Sequence, residues 1–315
     1  MVVLLLGVKL LLIGKMNSDL KKLKGIFPII YCFFNKNNSL DIKIISDQIK
    51  LLNKIGSNGI ASLGLATEVN KLEFQEKKTI IELVAKHSDD LIPTAVTIQA
   101  NSFEEYIKLI EVAKYNQANW IILQPLIKKN TSDKDCFEFF NKLIPYTKGT
   151  IVGVQNAKEY LGVGLSSKDI LKLYKKYENF RVIKGESSAA LIQSEISKYP
   201  KDLRVFNGRG GQEIVDNFIV GCRGIVPTLE NADNFIKIYK YIQNKKFSNA
   251  HKEYTRILPS IVFIMQSINS LVCYGKRICA YRMGVKNIYD RSPGMTPTSF
   301  GLRKSKEIAK NLGLF

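Results

Sequence analysis

The stretch that decides the fold opens with Ile151-Val-Gly-Val154, continues with Ser167-Lys-Asp-Ile-Leu-Lys-Leu-Tyr-Lys-Lys176 and closes with Arg181-Val-Ile-Lys184. The outer two segments are short and largely apolar, as is typical of strands that are buried on both faces of a parallel sheet. The middle segment is predicted to be a helix. The stretch therefore predicts one complete strand–helix–strand unit.

The same alternation extends in both directions along the chain. Strands are predicted at Ile26–Phe34, Gly59–Leu63, Leu91–Ile98, Trp120–Leu123, Ile151–Val154, Arg181–Lys184, Leu203–Phe206 and Gly224–Val226. Each strand precedes a predicted helix, at Asp41–Ile55, Glu73–Lys86, Ser102–Tyr115, Asp133–Tyr146, Ser167–Lys176, Ala189–Lys198, Gly211–Val220 and Asn231–Ile242. Eight βα units with short connections favour a closed (β/α)8 TIM barrel, which we expect to cover residues 25–245.

The segments outside the barrel are expected to differ in importance. Residues 246–315 are predicted to form a helical appendage that packs on the barrel and lines the site or a subunit contact, with helices at Phe247–Ser270, Leu271–Met283 and Leu302–Leu312. Residues 1–24 form an extension of doubtful role. Its apolar part, Val2–Ile13, is shorter than the roughly 20 residues that span a bilayer. No small-residue cleavage site follows it, so we expect residues 1–15 to be dispensable and to have no targeting role.

Composition narrows the class of protein. The chain has 315 residues and a formal net charge of +19, from 47 Lys and Arg against 28 Asp and Glu. The basic residues are spread along the whole chain, which favours a solvated basic surface over a nucleic-acid or membrane partner. Five cysteines without metal-site spacing and two distant histidines predict reduced thiols in the cytoplasm and no metal site.

Lys184 is the candidate reactive residue. It stands at the end of the sixth predicted strand, and active sites of such barrels lie at the carboxyl ends of the strands. Apolar surroundings disfavour the ammonium form of a lysine, and a neutral amine can attack a ketone to form a Schiff base. The alternative interpretation is a lysine whose stem covers apolar surface while its charge stays in water.

The segment Gly64-Leu65-Ala66-Thr67-Glu68, with Leu72 after it, resembles the dihydrodipicolinate synthase / N-acetylneuraminate lyase family. That family consists of pyruvate-dependent class I lyases on a (β/α)8 barrel. The resemblance covers roughly residues 25–315. It extends to Gly25-Ile-Phe-Pro28, Ile183-Lys184, Asn207-Gly208, Gly221-Cys-Arg-Gly224-Ile-Val226 and Met295-Thr-Pro297, in matching order and at matching intervals.

The resemblance implies roles for several residues. Lys184 corresponds to the lysine that forms the Schiff base, and no metal or cofactor is needed because the imine takes over that function. The turn after strand two is expected to bind the carboxylate of the keto acid through backbone N–H groups of Leu65 and Ala66, with Thr67 beside them. Gly208 and Val226, after strands seven and eight, are expected to contact substrate.

The departures from the family concern proton transfer. Gln155 stands where the family has its catalytic tyrosine, and Tyr160 where the synthases have a substrate-binding arginine. Glutamine is not a general acid near neutral pH. The relay threonine is replaced by Leu65 or Ala66, and a further tyrosine is missing from Gln124-Pro-Leu-Ile127.

Four substitutes for the missing proton carrier remain open. They are Glu186, Glu68, Tyr160, and a water held by Gln155 and Asn156; Glu186 could equally be one half of an ion pair. Arg209, in a glycine-rich segment after strand seven, could bind a second carboxylate or a hydroxylated tail, or it could be a surface residue.

The chain is therefore interpreted as a Schiff-base lyase or synthase. Its substrate is expected to be pyruvate or a 2-keto-3-deoxy sugar acid, undergoing aldol cleavage, condensation or dehydration. The alternatives are a genuine 4-hydroxy-tetrahydrodipicolinate synthase of lysine biosynthesis and a catalytically silent barrel that binds a keto acid. A cytoplasmic homo-oligomer, either a dimer or a tetramer, is expected.

Overall fold

A computed structural model describes residues 14–315. Its eight strands are β1 Gly25–Ile26, β2 Ile60–Ser62, β3 Thr94–Ile98, β4 Trp120–Leu123, β5 Ile151–Asn156, β6 Phe180–Gly185, β7 Arg204–Asn207 and β8 Gly224–Ile225. Each strand from β2 to β7 pairs in parallel with the next, and β8 pairs in parallel with β1. All eight strands are short and almost entirely buried, as the apolar segments predict.

The barrel closes through the residues that follow β1. Ile29 forms parallel bridges to Ala61 on one side and to Thr228 on the other. The backbone N–H of Ile30 donates to the carbonyl of Ala61 at 3.1 Å, and the N–H of Ala61 donates to the carbonyl of Pro28 at 3.0 Å. The predicted (β/α)8 barrel is thereby confirmed.

The predicted first strand, Ile26–Phe34, is too long. Pro28 has no N–H to donate to a ladder, so regular pairing ends at Ile26. The residues beyond Ile30 leave the sheet, but Tyr31 and Phe33 remain almost completely buried. This segment is apolar because it is buried, and burial is not specific to strands.

Helix α1 precedes β1, and helices α2 to α10 follow the strands, with α6 and α7 both after β5. The described part of α1 covers residues 14–22, and the others are α2 Ile42–Lys54, α3 Phe74–His87, α4 Phe103–Tyr115, α5 Asp133–Leu143, α6 Lys158–Leu161, α7 Ser167–Lys176, α8 Ala189–Ile196, α9 Ile214–Ile219 and α10 Ala232–Gln243. Their bounds agree with the predictions to within a few residues, except that α6 was not predicted. The Ser102 hydroxyl caps α4 by accepting from the N–H of Glu105 at 3.2 Å.

A cluster of aromatic rings fills the barrel interior below the carboxyl ends of the strands. The ring centroid of Phe206 lies 5.2 Å from that of Phe27 and 4.9 Å from that of Trp120. Gly153 borders this cluster: a Cβ there would lie 3.1 Å from Nε1 of Trp120, and only 2.0 Å from the carbonyl oxygen of Val182 on β6. The packed layer supports the polar residues above it.

Residues 247–312 form the helical appendage. Its helices are α11 Phe247–Ile264, α12 Ile268–Ser270, α13 Lys276–Arg282 and α14 Ser299–Leu312, with a π-helical segment at Leu271–Gly275. The predicted single helix Phe247–Ser270 is interrupted at residues 265–267. Among the described residues no single helix has the length and apolar character to cross a membrane; α11 and the segment Ile268–Arg282 meet that criterion only as a pair, bent by 106°.

The described part of the N-terminal extension packs against the barrel. Leu23 is completely buried, and the Asp19 carboxylate accepts from the Asn119 side chain at 2.9 Å. The Arg204 guanidinium donates to the carbonyl of Leu23 at 2.8 Å and to that of Leu20. The prediction that residues 1–15 are dispensable falls mostly on residues 1–13, which lie outside the described residues, and it stays a prediction.

Candidate active site

Lys184 lies on β6 inside the barrel, above the aromatic cluster. It pairs with Gln155 of β5 and with Phe206 of β7, and its exposed fraction is 5%. Its Nζ makes a short hydrogen-bonded ion pair with Oε1 of Glu186. The Lys184 ammonium is therefore buried away from water. This is contrary to the alternative interpretation, in which its charge stays in water.

Glu186 connects Lys184 to Gln155. Its exposed fraction is 3%, and the Oε1 atom that contacts Lys184 also accepts from Nε2 of Gln155 at 2.8 Å. The Oε1 atom of Gln155 is buried and has no hydrogen-bond partner among residues 14–315. The arrangement allows a proton to pass directly between the lysine amine and the carboxylate, with the Gln155 carbonyl free to accept from a further group.

The chain makes room for this pair by having glycine at position 208. A Cβ there would lie 2.8 Å from Cε of Lys184 and 2.8 Å from Oε1 of Glu186. The Gly208 N–H also donates to the carbonyl of Gly185 at 2.8 Å. Any larger residue would displace the ion pair.

A small cavity of about 30 Å³ surrounds the amine and the carboxylate. The residues predicted from the sequence that line it are Lys184, Glu186, Leu65, Ala66, Tyr160, Gly208 and Val226. The remaining lining residues, which were not predicted, are Ile29, Gly210, Thr228, Met265, Ile268 and Leu271. A cavity of this size has room for about two water molecules, which is less than a keto acid needs.

The appendage supplies the roof of the cavity. Met265, Ile268 and Leu271 come from the interruption after α11, from α12 and from the π-helical segment. The sulfur of Met265 packs against Gly210, where a Cβ would lie 2.3 Å away. The predicted appendage thus lines the site, but the particular residues carried no recognisable signal in the sequence.

Three residues that are predicted to contact substrate lie outside the lining of this cavity. The Thr67 hydroxyl is buried and donates to the carbonyl of Ile30 at 2.7 Å. The Asn156 amide holds the backbone of Leu165, by bonds of 2.8 and 3.1 Å. The Arg209 guanidinium pairs with Glu213 at 3.1 Å and lies 3.9 Å from Glu159. These polar groups stabilise loops, and none of the three residues lines the cavity.

The turn after β2 offers backbone donors. Residues Leu65–Thr67 form one turn of 3₁₀-helix, and Glu68 follows in the left-handed conformation with φ of 58°. The N–H groups of Thr67 and Glu68 bond within the turn. No group of the described chain accepts from the N–H of Leu65 or Ala66, which leaves both available to an anion.

Glu68, one of the candidate proton carriers, is already bound by two lysines. Its carboxylate accepts from Lys71 at 2.6 Å and from Lys276, whose side chain is fully buried. Lys276 also lies 3.5 Å from Asp290, and the Asp290 carboxylate pairs with Arg277. Glu68 is therefore part of a structural charge network beside the Lys184 cavity and does not line it.

A second cavity, of about 120 Å³, adjoins the first. The two share Leu65 and Ile268 as wall residues. The uncharged polar groups of the second cavity are Asn70 and Asn269. Its charged lining residues are Glu68, Lys71 and Asp290, which belong to the charge network described above.

Within residues 14–315 no group of three His, Cys, Asp or Glu side chains could hold a metal ion. All five cysteines are buried and unpaired, and burial raises the pKa of Cys136 and Cys222 to about 12. These thiols are accordingly poor nucleophiles.

Comparisons of the sequence and of the fold with known proteins agree with each other. The sequence model of the dihydrodipicolinate synthetase family matches residues 22–311. A 4-hydroxy-tetrahydrodipicolinate synthase from Methanococcus aeolicus is 27% identical over 73% of this chain and 79% of its own length. An N-acetylneuraminate lyase from Mediterraneibacter gnavus is 20% identical over 76% of each chain. The solved sialic acid aldolase of Ruminococcus gnavus has the same fold, with a TM-score of 0.85 at 18% identity, over 92% of this chain and 97% of its own.

Proposed function

We propose, since the chain belongs to the dihydrodipicolinate synthetase family, that it is a class I lyase in which Lys184 forms an imine with a 2-keto acid. One observation carries the proposal: the Lys184 amine is buried at the carboxyl end of β6, in contact with the Glu186 carboxylate and inside a cavity. A silent barrel would have no need to keep this costly buried pair.

Glu186 would carry the protons of imine formation. The ammonium of Lys184 gives a proton to Glu186, and the neutral amine attacks the keto carbon to form a carbon–nitrogen bond. A further proton moves from nitrogen to oxygen, and water leaves the carbinolamine as the imine forms. Gln155 holds the Glu186 carboxylate in place and so acts through it.

The free N–H groups of Leu65 and Ala66 support a role in binding the keto acid's carboxylate. Two adjacent amides bind an anion whatever side chains they carry. The replacement of the family's relay threonine by Leu65 or Ala66 therefore does not remove this contact.

The electrostatics favour an uncharged tail on the substrate. Among the described residues that line the Lys184 cavity, Lys184 is the sole cation, and Tyr160 stands in the position of the family's arginine. Lys71 lines the second cavity, but its charge is paired with Glu68. Arg209 is paired with Glu213, which argues against its replacing that arginine. We propose a hydroxylated keto acid whose tail passes Leu65 and Ile268 into the second cavity, towards Asn70 and Asn269.

We propose a cytoplasmic homo-oligomer, a dimer or a tetramer, that acts on a small keto acid. Size-exclusion chromatography with light scattering measures the assembly directly.

The proposal is tested by trapping the imine. Purified protein is incubated with a panel of 2-keto acids and borohydride, and the reduced adduct is located by peptide mapping. We expect it on Lys184, absent in Lys184→Met, and formed roughly 10²-fold or more slowly in Glu186→Gln. Lys43→Met, on the surface, is the matched control. An adduct on another lysine, or none with any keto acid, contradicts the proposal.

A second candidate, 4-hydroxy-tetrahydrodipicolinate synthesis, is favoured by the name of the Methanococcus aeolicus relative. Steady-state assays with pyruvate and aspartate semialdehyde separate the two. Losing an arginine contact to the aldehyde's carboxylate costs roughly 1.5–3 kcal/mol, so we expect slow or absent condensation. Efficient condensation that is abolished by Arg209→Ala would favour the synthase.

A further inference from the structure

We infer that Thr228, Glu230 and Tyr31 form a proton relay to the substrate, separate from the Lys184–Glu186 pair, in the same cavity. The inference rests on the proposed function and deepens it, because it supplies the second proton-transfer group that carbon–carbon chemistry at an imine needs. None of the three residues is among the candidates that the sequence suggested.

Thr228 connects the relay to the substrate. It follows β8, and it lines the same small cavity as Lys184 and Glu186. Its hydroxyl donates to Oε1 of Glu230 at 2.8 Å. A hydroxyl that donates to a carboxylate keeps its lone pairs available to accept a proton from a second partner.

Glu230 is the group that takes up the proton from Thr228 and later returns it. Its exposed fraction is 0%, and its Oε2 accepts from the Tyr31 hydroxyl at 2.7 Å. No Lys, Arg or His of the described chain lies within ion-pair distance of this carboxyl. A buried carboxylate without a cation is costly, so the group gains a proton easily.

The charged neighbours of Glu230 do not neutralise it. Arg282 of α13 donates to the backbone carbonyl of Glu230 at 2.6 Å, but its charge is paired with Asp233 of α10. Cys279, also on α13, is a buried thiol whose pKa is raised by burial and by Glu230. Burial likewise raises the pKa of Glu230 and that of Tyr31.

The close fit around Tyr31 indicates that the hydroxyl is held in place. A Cβ at Gly275 would lie 2.3 Å from the Tyr31 hydroxyl, so glycine is needed where the π-helical segment passes it. The Tyr31 backbone is fixed by two hydrogen bonds to the Gln48 amide, at 2.8 and 2.9 Å. The relay is therefore preorganised before substrate arrives.

The relay supplies both proton transfers that an aldol cleavage requires. Thr228 accepts the proton of the substrate hydroxyl and gives its own proton to Glu230 Oε1, while the carbon–carbon electron pair moves to the imine. An aldehyde and an enamine result. Glu230 then returns the proton through Thr228 to the enamine carbon, and hydrolysis of the imine releases the keto acid.

The test separates imine formation from proton transfer to carbon. Pyruvate is the probe: borohydride trapping at Lys184 reports the imine, and loss of the methyl proton signal in deuterium oxide reports the enamine. For Thr228→Val and Glu230→Gln we expect trapping within about twofold of the unmodified chain and exchange slower by roughly 10²-fold or more. Thr228→Ser should restore exchange, and Tyr31→Phe should give an intermediate loss.

A control and a pH profile exclude a merely structural role. Ser305→Ala removes another buried hydroxyl, which donates to Gly301 within α14, and should leave exchange unchanged. The limb of the exchange profile due to Glu230 should disappear in Glu230→Gln. Exchange retained by both Thr228→Val and Glu230→Gln overturns the relay while the proposed function stands. Loss of trapping in the unmodified chain overturns the proposed function itself.

Discussion

Lys276 and Glu68 have opposite charges and almost no contact with water. The side chain of Lys276 is fully buried, and Glu68 is shared with Lys71 at the edge of the second cavity. Desolvating two charges is costly, and their attraction compensates only while both are present. A single substitution in this network should therefore lower the free energy of unfolding strongly.

Replacing Lys276 by methionine should destabilise the protein by about 3–5 kcal/mol, because it leaves Glu68 and Asp290 short of a cation. Denaturant unfolding of both proteins measures the loss. The control is Lys43→Met, which breaks an exposed pair with Asp47 and should cause no measurable loss. Equal effects of the two substitutions would contradict the importance of burial.

Glu230 should make stability depend on pH. Burial raises its pKa above the ordinary 4.5, so between pH 4.5 and the raised pKa the folded state holds a proton that the unfolded state releases. This contribution is fully present below pH 4.5 and is lost as pH rises towards the raised pKa. Glu230→Gln should remove this decline from the pH dependence of the unfolding free energy. Parallel curves for the two proteins would show that Glu230 does not titrate in this way.

The sequence predicts Lys184 because a strand end and a family motif both mark it. It does not predict the pairing of Tyr31 with Glu230, since 199 positions separate them. Asn156 and Thr67 have suitable chemistry and position, but loop backbones use their hydrogen-bonding capacity. Sequence pattern identifies polar groups near a site, and it does not reveal which of them are already bonded.

Among the elements, Trp120–Leu123 and Ser167–Lys176 have the bounds that the sequence predicts. The residues on either side of each element differ from it in polarity or in helix-forming tendency, so the ends of both elements can be recognised in the sequence. The helix predicted over Phe247–Ser270 breaks after Ile264 without such a marker. The break depends on tertiary packing, because Met265 turns towards Gly210 and roofs the cavity.

The cap of α4 can be tested in isolation. Ser102→Ala removes the acceptor for the N–H of Glu105 and should cost about 1 kcal/mol of unfolding free energy. The control is Ser248→Ala, at an exposed position in the first turn of α11. If the two variants unfold at the same denaturant concentration, the capping bond contributes nothing to stability.

At the scale of the whole molecule, the net charge of +19 should attract anionic substrates. We expect kcat/KM for a keto acid to fall severalfold between about 0.01 M and 0.15 M salt, because ions screen the field. Turnover at saturating substrate should change little. Steady-state kinetics at several ionic strengths measure both quantities, and a kcat/KM that is independent of salt would exclude long-range attraction.

The N-terminal extension should divide into two parts with different effects. A chain that starts at Met16 keeps the contacts of Asp19 and Leu23, and its melting temperature should change by no more than a few degrees. A chain that starts at Gly25 loses them and leaves the side-chain N–H group of Asn119 without Asp19 and the Arg204 guanidinium without its two carbonyl acceptors, so it should melt markedly lower. Thermal unfolding of the two chains decides the point.

Ile29 has a consequence for how the protein folds. It joins Ala61 to Thr228 across the final seam of the barrel, and it also lines the cavity of Lys184. Contacts between segments so distant in sequence form late, because a large loop must close first. A chain with an open seam therefore has most of its secondary structure and no complete active site. The rate at which imine trapping recovers during refolding therefore reports the rate at which the seam closes. We expect this recovery to lag behind the return of the helical circular dichroism signal.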